Sequence, residues 1–292
     1  MSSKELTIIS GKGGTGKTSI VASLATLAEN KVLVDADVDA ADLHLVIAPT
    51  VKQETDFQGG SIAVIDPDQC TRCGECIERC RFDAISDNFV VDRIACEGCG
   101  VCVHFCPVDA IDFPRQICGK WYVSDTRHGT MVHARLGIAE ENSGLLVSLL
   151  RKEAKNMAEL NNHDLILVDG PPGIGCPVIS SVTNSSAVLV ISEPTMSGMH
   201  DMKRVNELAT FLKVPVMFCI NKYDINEDIA EEIKQYGKEN NMDFVGAIPY
   251  DKEVTAAMVK QQSLVEYSDG KAARAVKDMW QAVSGILDNQ HN

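Results

Sequence analysis

The chain has 292 residues, 23% of them charged, and a formal net charge of −14, which allows one large domain with a full core plus a small module. That acidic balance, without a lysine or arginine run, argues against nucleic acid and acidic membrane surfaces as partners. No apolar run approaches the ~18–20 residues of a membrane span, and eleven cysteines without a secretory leader point to a reducing cytoplasm.

Residues 6–10, Leu-Thr-Ile-Ile-Ser, are a short apolar run followed by a glycine-rich loop and a helical pattern, which predicts strand, loop, helix. The helix is expected from Lys17, burying Ile20, Val21, Leu24, Leu27 and Ala28, which recur at three- and four-residue intervals. Val32-Leu33-Val34 predicts a second buried strand ending in the acidic run of Asp35, Asp37, Asp39 and Asp42. The pattern breaks after Ala48 and resumes with a helix over 143–160, with Leu146, Leu149, Leu150, Met157 and Leu160 on one side. Between them lie a cysteine repeat and a hairpin pattern, Trp121–Ser124 and Met131–Leu136, joined across Thr126-Arg127-His128-Gly129. Apolar strands are expected at 165–168, 187–191, 214–220 and 244–248, alternating with helices that include 199–212 and a core-packing helix over 270–287. Such alternation predicts an α/β fold with a mostly parallel sheet covered on both faces.

Three parts follow: residues 1–50 and 141–292 as two pieces of one nucleotide-binding domain, and 51–140 as an insertion holding the cysteine module, about 65–115, and the hairpin.

Gly11-Lys12-Gly13-Gly14-Thr15-Gly16-Lys17-Thr18 satisfies the Walker A pattern and falls between a strand and a helix, where its mechanism requires it. Glycines let the backbone wrap around phosphate, so that N–H groups and the helix N-terminus face negative charge. Lys17 is expected on the β- and γ-phosphates and Thr18 on Mg²⁺.

Eight cysteines form two copies of one spacing: Cys70, Cys73, Cys76, Cys80 and then Cys96, Cys99, Cys102, Cys106, each 26 residues after its counterpart. Two-residue gaps let three successive thiolates of a loop wrap around an inorganic iron–sulfur core. Structural zinc is the alternative, but it commonly takes separated cysteine pairs. Of the cysteines outside the repeat, Cys219 lies in an apolar strand and reads as a small core residue. Cys176 reads as packing or, alternatively, as a redox sensor, and Cys118 is left open. His133 reads as a structural histidine or a partner contact.

The phosphate loop with its early Lys12, Val34-Asp35-Ala36-Asp37, and Leu167-Val168-Asp169-Gly170-Pro171-Pro172-Gly173 together resemble the deviant-Walker P-loop ATPases, which include MinD, ParA, Mrp and the nitrogenase iron protein. Glu193-Pro194-Thr195, His200-Asp201 and Ile248-Pro249-Tyr250 are also similar. The resemblance implies that Lys12 reaches the partner's bound phosphates in a nucleotide-dependent homodimer, that Asp37 positions the attacking water, and that Asp169 orients Mg²⁺. Asn221-Lys222-Tyr223-Asp224 formally matches a guanine-reading motif, whereas the resemblance implies ATP, with Asn221 against adenine.

The cysteine runs resemble the two-cluster bacterial ferredoxins, whose fourth cysteine ligates the other cluster. That resemblance implies one [4Fe–4S] cluster on Cys70, Cys73, Cys76 and Cys106, and a second on Cys80, Cys96, Cys99 and Cys102. Arg81 stands where such a run usually has proline; Pro107 keeps it in the second copy.

The expected function is therefore a slow, partner-stimulated ATPase that couples nucleotide state to electron transfer or docking of an unidentified redox partner. The alternatives are a cluster carrier serving an acceptor protein, which the missing C-terminal Cys-x-x-Cys pair disfavours, and a MinD/ParA-like positioning ATPase.

Overall fold

The computed structural model describes residues 3–137 and 142–289. In chain order the elements are β1 (Lys4–Ser10), α1 (Lys17–Leu27), β2 (Lys31–Asp35), α2 (Leu43–Ile47), β3 (Thr50–Ser61), β4 (Val64–Ile65), α3 (Glu75–Arg79), α4 (Val101–His104), β5 (Ile111–Asp112), β6 (Arg115–Thr126) and β7 (Gly129–Leu136). They continue with α5 (Ser143–Asn161), β8 (Leu165–Pro172), α6 (Cys176–Val182), β9 (Ala187–Ser192), α7 (Met196–Phe211), β10 (Val216–Asn221), α8 (Glu227–Glu239), β11 (Asp243–Ile248), α9 (Glu253–Val259), α10 (Leu264–Tyr267) and α11 (Lys271–Asn289).

The chain divides into two compact units, one of residues 1–55, 121–136 and 143–292, the other of 56–120 and 137–142. The main sheet has the order β11-β10-β9-β1-β8-β2-β7-β6-β3, and the seven strands from β11 to β7 pair in parallel. Their apolar runs are continuous because both faces are buried, and successive residues serve opposite faces. In β9, Leu189 and Ile191 join α1 and α11 in one core layer. Val188 and Val190 join α6, α7 and α8 in the other.

The sequence segments fall near the observed elements, with instructive differences. In α5 the buried stripe is Leu146, Val147, Leu150, Arg151, Ala154 and Ala158, so Leu149 and Met157 are only half-buried and Leu160 is 81% exposed. Arg151 enters this stripe because its guanidinium pairs with Glu5 and donates to the Ser180 and Thr183 carbonyls, which offsets desolvation. The break after Ala48 is not irregular chain: Thr50–Ser61 is a twelve-residue strand, its first five side chains exposed. An edge strand needs a backbone partner more than an apolar face, so its composition carries little signal.

The hairpin forms with its turn at Arg127-His128, and β7 pairs parallel to β2 through Val32↔Thr130, Leu33↔Met131 and Val34↔Val132. Residues 121–136 therefore cluster with the first unit, whereas the sequence pattern predicts the hairpin within the insertion of 51–140. The expected boundary at 140/141 falls at residues outside those described.

The second unit repeats itself at the spacing of its cysteines. Val64↔Asp112 and Ile65↔Ile111 pair antiparallel, and Ile85 bridges Val91, so the leading strand of each copy pairs with the trailing strand of the other. The Asp66 amide donates to the Ala110 carbonyl at 2.8 Å, and the equivalent Asp92 amide to the Ala84 carbonyl at 2.7 Å. Helices α3 and α4 also occupy equivalent positions. Their small core is Ala63, Cys76, Ile85 and Ile111, bordered by Cys80, Cys102 and Cys106. Among the described residues, no helix is long and apolar enough to cross a membrane.

Candidate functional site

The glycine loop leaves β1 and enters α1 through Gly16, whose φ of 85° is left-handed and whose helix start has no side-chain cap. The first N–H groups of α1 thus have no capping side chain at Gly16, which suits a helix N-terminus to an anion. Gly14 also has a positive φ, 81°. Gly11 serves a different purpose: a Cβ there would lie 1.9 Å from that of Asp201 in α7, so this glycine is dictated by helix packing.

Lys17 is buried, with its Nζ 2.5 Å from Asp169 Oδ1 and 3.5 Å from Asp37 Oδ2. Burial alone would lower the lysine's pKa, but Asp169, Asp37 and Asp35 outweigh it and raise the pKa. Asp35, at the end of β2, and Asp169, within β8, are register partners, so parallel pairing brings the two carboxylates together. Burial pushes the Asp35 carboxyl well above the usual range, and Asp169 adds to this. Burial likewise raises Asp37 to about 6, against the opposing charge of Lys17. One ammonium therefore faces three carboxylates, and Asp35 Oδ2, Asp169 Oδ2 and Thr15 Oγ1 are buried without a hydrogen-bond partner. Oxygen-rich, incompletely satisfied surroundings suit a hard cation such as Mg²⁺.

A cleft of about 520 Å³ opens over this centre, lined by Gly13 to Thr18, Asp37, Asp42 and Asn221, with Ile248, Pro249, Tyr250, Val254 and Met258 on its apolar side. Asn221 lines the cleft, but its Nδ2 donates to the Thr15 carbonyl at 2.7 Å. Its neighbour Lys222 reaches the Gly14 carbonyl at 3.3 Å. Lys12 lies outside this lining, 3.4 Å from Glu193 and 3.3 Å from the Ser197 hydroxyl. Glu193 also binds Lys222, a junction that sequence spacing did not reveal because its members come from three separate loops.

In the second unit, Cys70, Cys73, Cys76 and Cys106 line one cavity; Cys80, Cys96, Cys99 and Cys102 line another. None of the eleven cysteines is disulfide-bonded. Among the described residues, no group of three or more His, Cys, Asp or Glu side chains converges tightly enough to hold a metal ion. The quartets stand around cavities instead. Backbone N–H groups approach sulfurs in both quartets, with Arg72 at 3.4 Å from Cys70 Sγ, Ala110 at 3.3 Å from Cys106 Sγ and Val103 against Cys102.

The remaining cysteines divide. Cys219 is fully buried in β10, where burial pushes its thiol far up. Cys118 is buried and donates to the Gly59 carbonyl at 2.9 Å. Cys176 is exposed, contrary to the packing expectation, because it begins α6 on the solvent side. His133 is structural: its Nε2 lies 2.8 Å from the Ser124 hydroxyl and its ring stacks on Tyr122. Burial lowers its pKa to about 4.

The profile of the CobQ/CobB/MinD/ParA nucleotide binding domain matches residues 6–265. An uncharacterized protein of Methanocaldococcus jannaschii is 34% identical over 287 residues, covering 97% of each chain. An iron-sulfur cluster carrier protein of Pyrococcus horikoshii is 24% identical over 151 residues, 47% of this chain and 50% of that one. In fold, the chain is similar to the septum site-determining protein MinD of Pyrococcus horikoshii, solved with Mg-ADP, with a TM-score of 0.60 and 17% identity over 99% of this chain and 98% of that one.

Proposed function

The chain belongs to the CobQ/CobB/MinD/ParA nucleotide-binding family, and on that premise we propose that it binds and hydrolyses Mg-ATP and couples nucleotide state to electron transfer or partner docking through two [4Fe–4S] clusters. The observation that carries the cluster half is the sorting of eight cysteines into two cavities, each lined by three from one run and the fourth from the other. A cubane core is wider than a single ion, so its thiolates surround a cavity rather than meet at a point. The donor set fits: all eight ligands are cysteines, the backbone supplies N–H groups to the sulfurs, and the crossed strand pairing repeats the crossed quartets. When bound, such a cluster supplies a one-electron redox centre.

At the nucleotide, the loop amides and Lys17 bind phosphate, Thr18 and Asp169 hold and orient Mg²⁺, and Asp37 positions water. Lys12 stands outside the cleft, where a second copy of the chain would receive it. Lys17, which lies against Asp169 and Asp37, would turn to the phosphates of a bound nucleotide, and Thr18 and Asp169 would hold Mg²⁺, whose charge would offset these carboxylates. Mg-ADP in the similar MinD supports this use of the cleft.

Anaerobic reconstitution followed by redox titration tests the proposal: the midpoint potential, or the rate of reduction by a chemical donor, is expected to differ between Mg-ADP and a nonhydrolysable Mg-ATP analogue. Identical values in both states overturn the coupling. The carrier reading is favoured by the similarity to the Pyrococcus cluster carrier, but here only Cys176 and Cys219 lie beyond Cys118, and Cys219 is buried. Transfer of iron to an apo-protein in the presence of a chelator would establish carrier work; retention with electron donation would establish redox work.

A further inference from the structure

The sequence Asn221-Lys222-Tyr223-Asp224 has the form of a guanine reader, in which the aspartate must present its carboxylate to the N–H groups of the base. Here Asn221 and Lys222 line the cleft, and Asp224 is not among the lining residues. Its Oδ1 instead accepts from the Tyr250 backbone N–H at 2.7 Å. Tyr250 belongs to the stretch after β11 that, with Ile248 and Pro249, walls the apolar side of the cleft. Proline at 249 has no N–H of its own, so the Tyr250 amide is the first donor after β11 by which this lip can be tied down. The tie runs from the turn after β10, Tyr223–Ile225, to the loop after β11, and thereby joins the ends of two neighbouring strands.

We propose that Asp224 is a positioning residue: it fixes the Ile248-Pro249-Tyr250 lip against which the base lies, so that a guanine-type sequence serves adenine here. The proposal rests on the ATP reading above. A carboxylate accepting from a backbone amide is a charge-assisted hydrogen bond, and once so engaged the group cannot offer both oxygens to guanine. The lip and the phosphate loop line one cleft, and in the proposed arrangement the lip meets the base while the loop amides and Lys17 meet the phosphates.

The test compares Asp224→Ala and Asp224→Asn by calorimetric titration with Mg²⁺ complexes of ATP, GTP, XTP and inorganic tripolyphosphate. Asp224→Ala is expected to weaken ATP about tenfold, the scale of one hydrogen bond to a charged acceptor, and to leave tripolyphosphate unchanged, which also shows that the variant is folded. Asp224→Asn keeps an acceptor oxygen for Tyr250 and is expected to restore ATP affinity without acquiring XTP. Gain of XTP by Asp224→Asn would show that the carboxylate reads the base and overturn the proposal. Unchanged ATP affinity in Asp224→Ala overturns it as well while the ATP reading stands. Wild-type preference for GTP over ATP would remove both.

Discussion

Two residues of the nucleotide site take their properties from neighbours far away in sequence. Lys12 touches Glu193 and Ser197 rather than the cleft, so Lys12→Ala is expected to bind ATP as wild type does and to lose turnover about a thousandfold, as removal of a trans-acting cation does elsewhere. Equilibrium binding and phosphate release measured on one preparation check this; unchanged turnover removes the assigned role. Asp37 is raised to about 6, chiefly by burial, above an unfolded value of about 3.9. The folded state thus binds the proton more tightly, and the cost of holding the carboxylate is absent below pH ~4 and complete above ~6. Nucleotide-free Asp37→Asn is expected to melt above wild type at pH 7.5, by a margin that closes toward pH 4.5, and to lack hydrolysis. A margin that does not change with pH contradicts the assignment.

Short elements here are held by specific ties. Helix α10 starts with a capping box of Ser263 and Glu266, and Arg127 in the hairpin turn grips Glu266 while donating to the Val46 and Gln261 carbonyls. Burial would raise the Glu266 pKa, but hydrogen bonds from Arg127 and Ser263 overcome it and bring the carboxyl to about 2. Because the folded value lies below the unfolded one, this stabilisation is full above pH ~4.5 and is lost as pH falls toward ~2. Glu266→Gln should lower stability at pH 7 by about 2 kcal/mol and flatten the acid limb of the unfolding curve in that window; parallel limbs would rule this out. At the start of α1, a Cβ on Gly16 would stand 2.5 Å from Asn221 Nδ2 at a left-handed φ. Gly16→Ala is therefore expected to cost about 1–2 kcal/mol and to weaken ATP, as seen by melting and titration together.

On the scale of the whole molecule, the crossed architecture of residues 56–120 makes a prediction that single substitutions do not. Cys70, Cys73, Cys76 and Cys106 line one cavity, so under the proposed assignment Cys73 and Cys106 would serve the same cluster although they belong to different runs. The double variant Cys73→Ser/Cys106→Ser should keep about four of about eight irons per chain. Cys73→Ser/Cys80→Ser, two changes within one run, should lose nearly all of them. Iron analysis after anaerobic reconstitution decides; the opposite pattern means that each run closes its own cluster.

The sequence alone determined the local patterns: glycines and lysines of the phosphate loop in fixed order, an aspartate directly after each of two apolar runs, and cysteines at a repeated interval. The loop is legible because phosphate binding demands particular residue types within one loop, the repeat because its spacing is the same in both copies, and the strands because segments buried on both faces are apolar without interruption. Cys219 in its strand was legible for that same reason. What only the tertiary structure decided is which separate loops meet. The contact of Lys12 with Glu193, Arg151 within an apolar stripe, the exposure of Cys176, the edge strand Thr50–Ser61, and the tie from Asp224 to Tyr250 all depend on contacts between segments distant in sequence. Those contacts are made by strand order and helix packing, and a one-dimensional pattern carries no record of which neighbour a side chain or an edge strand will find.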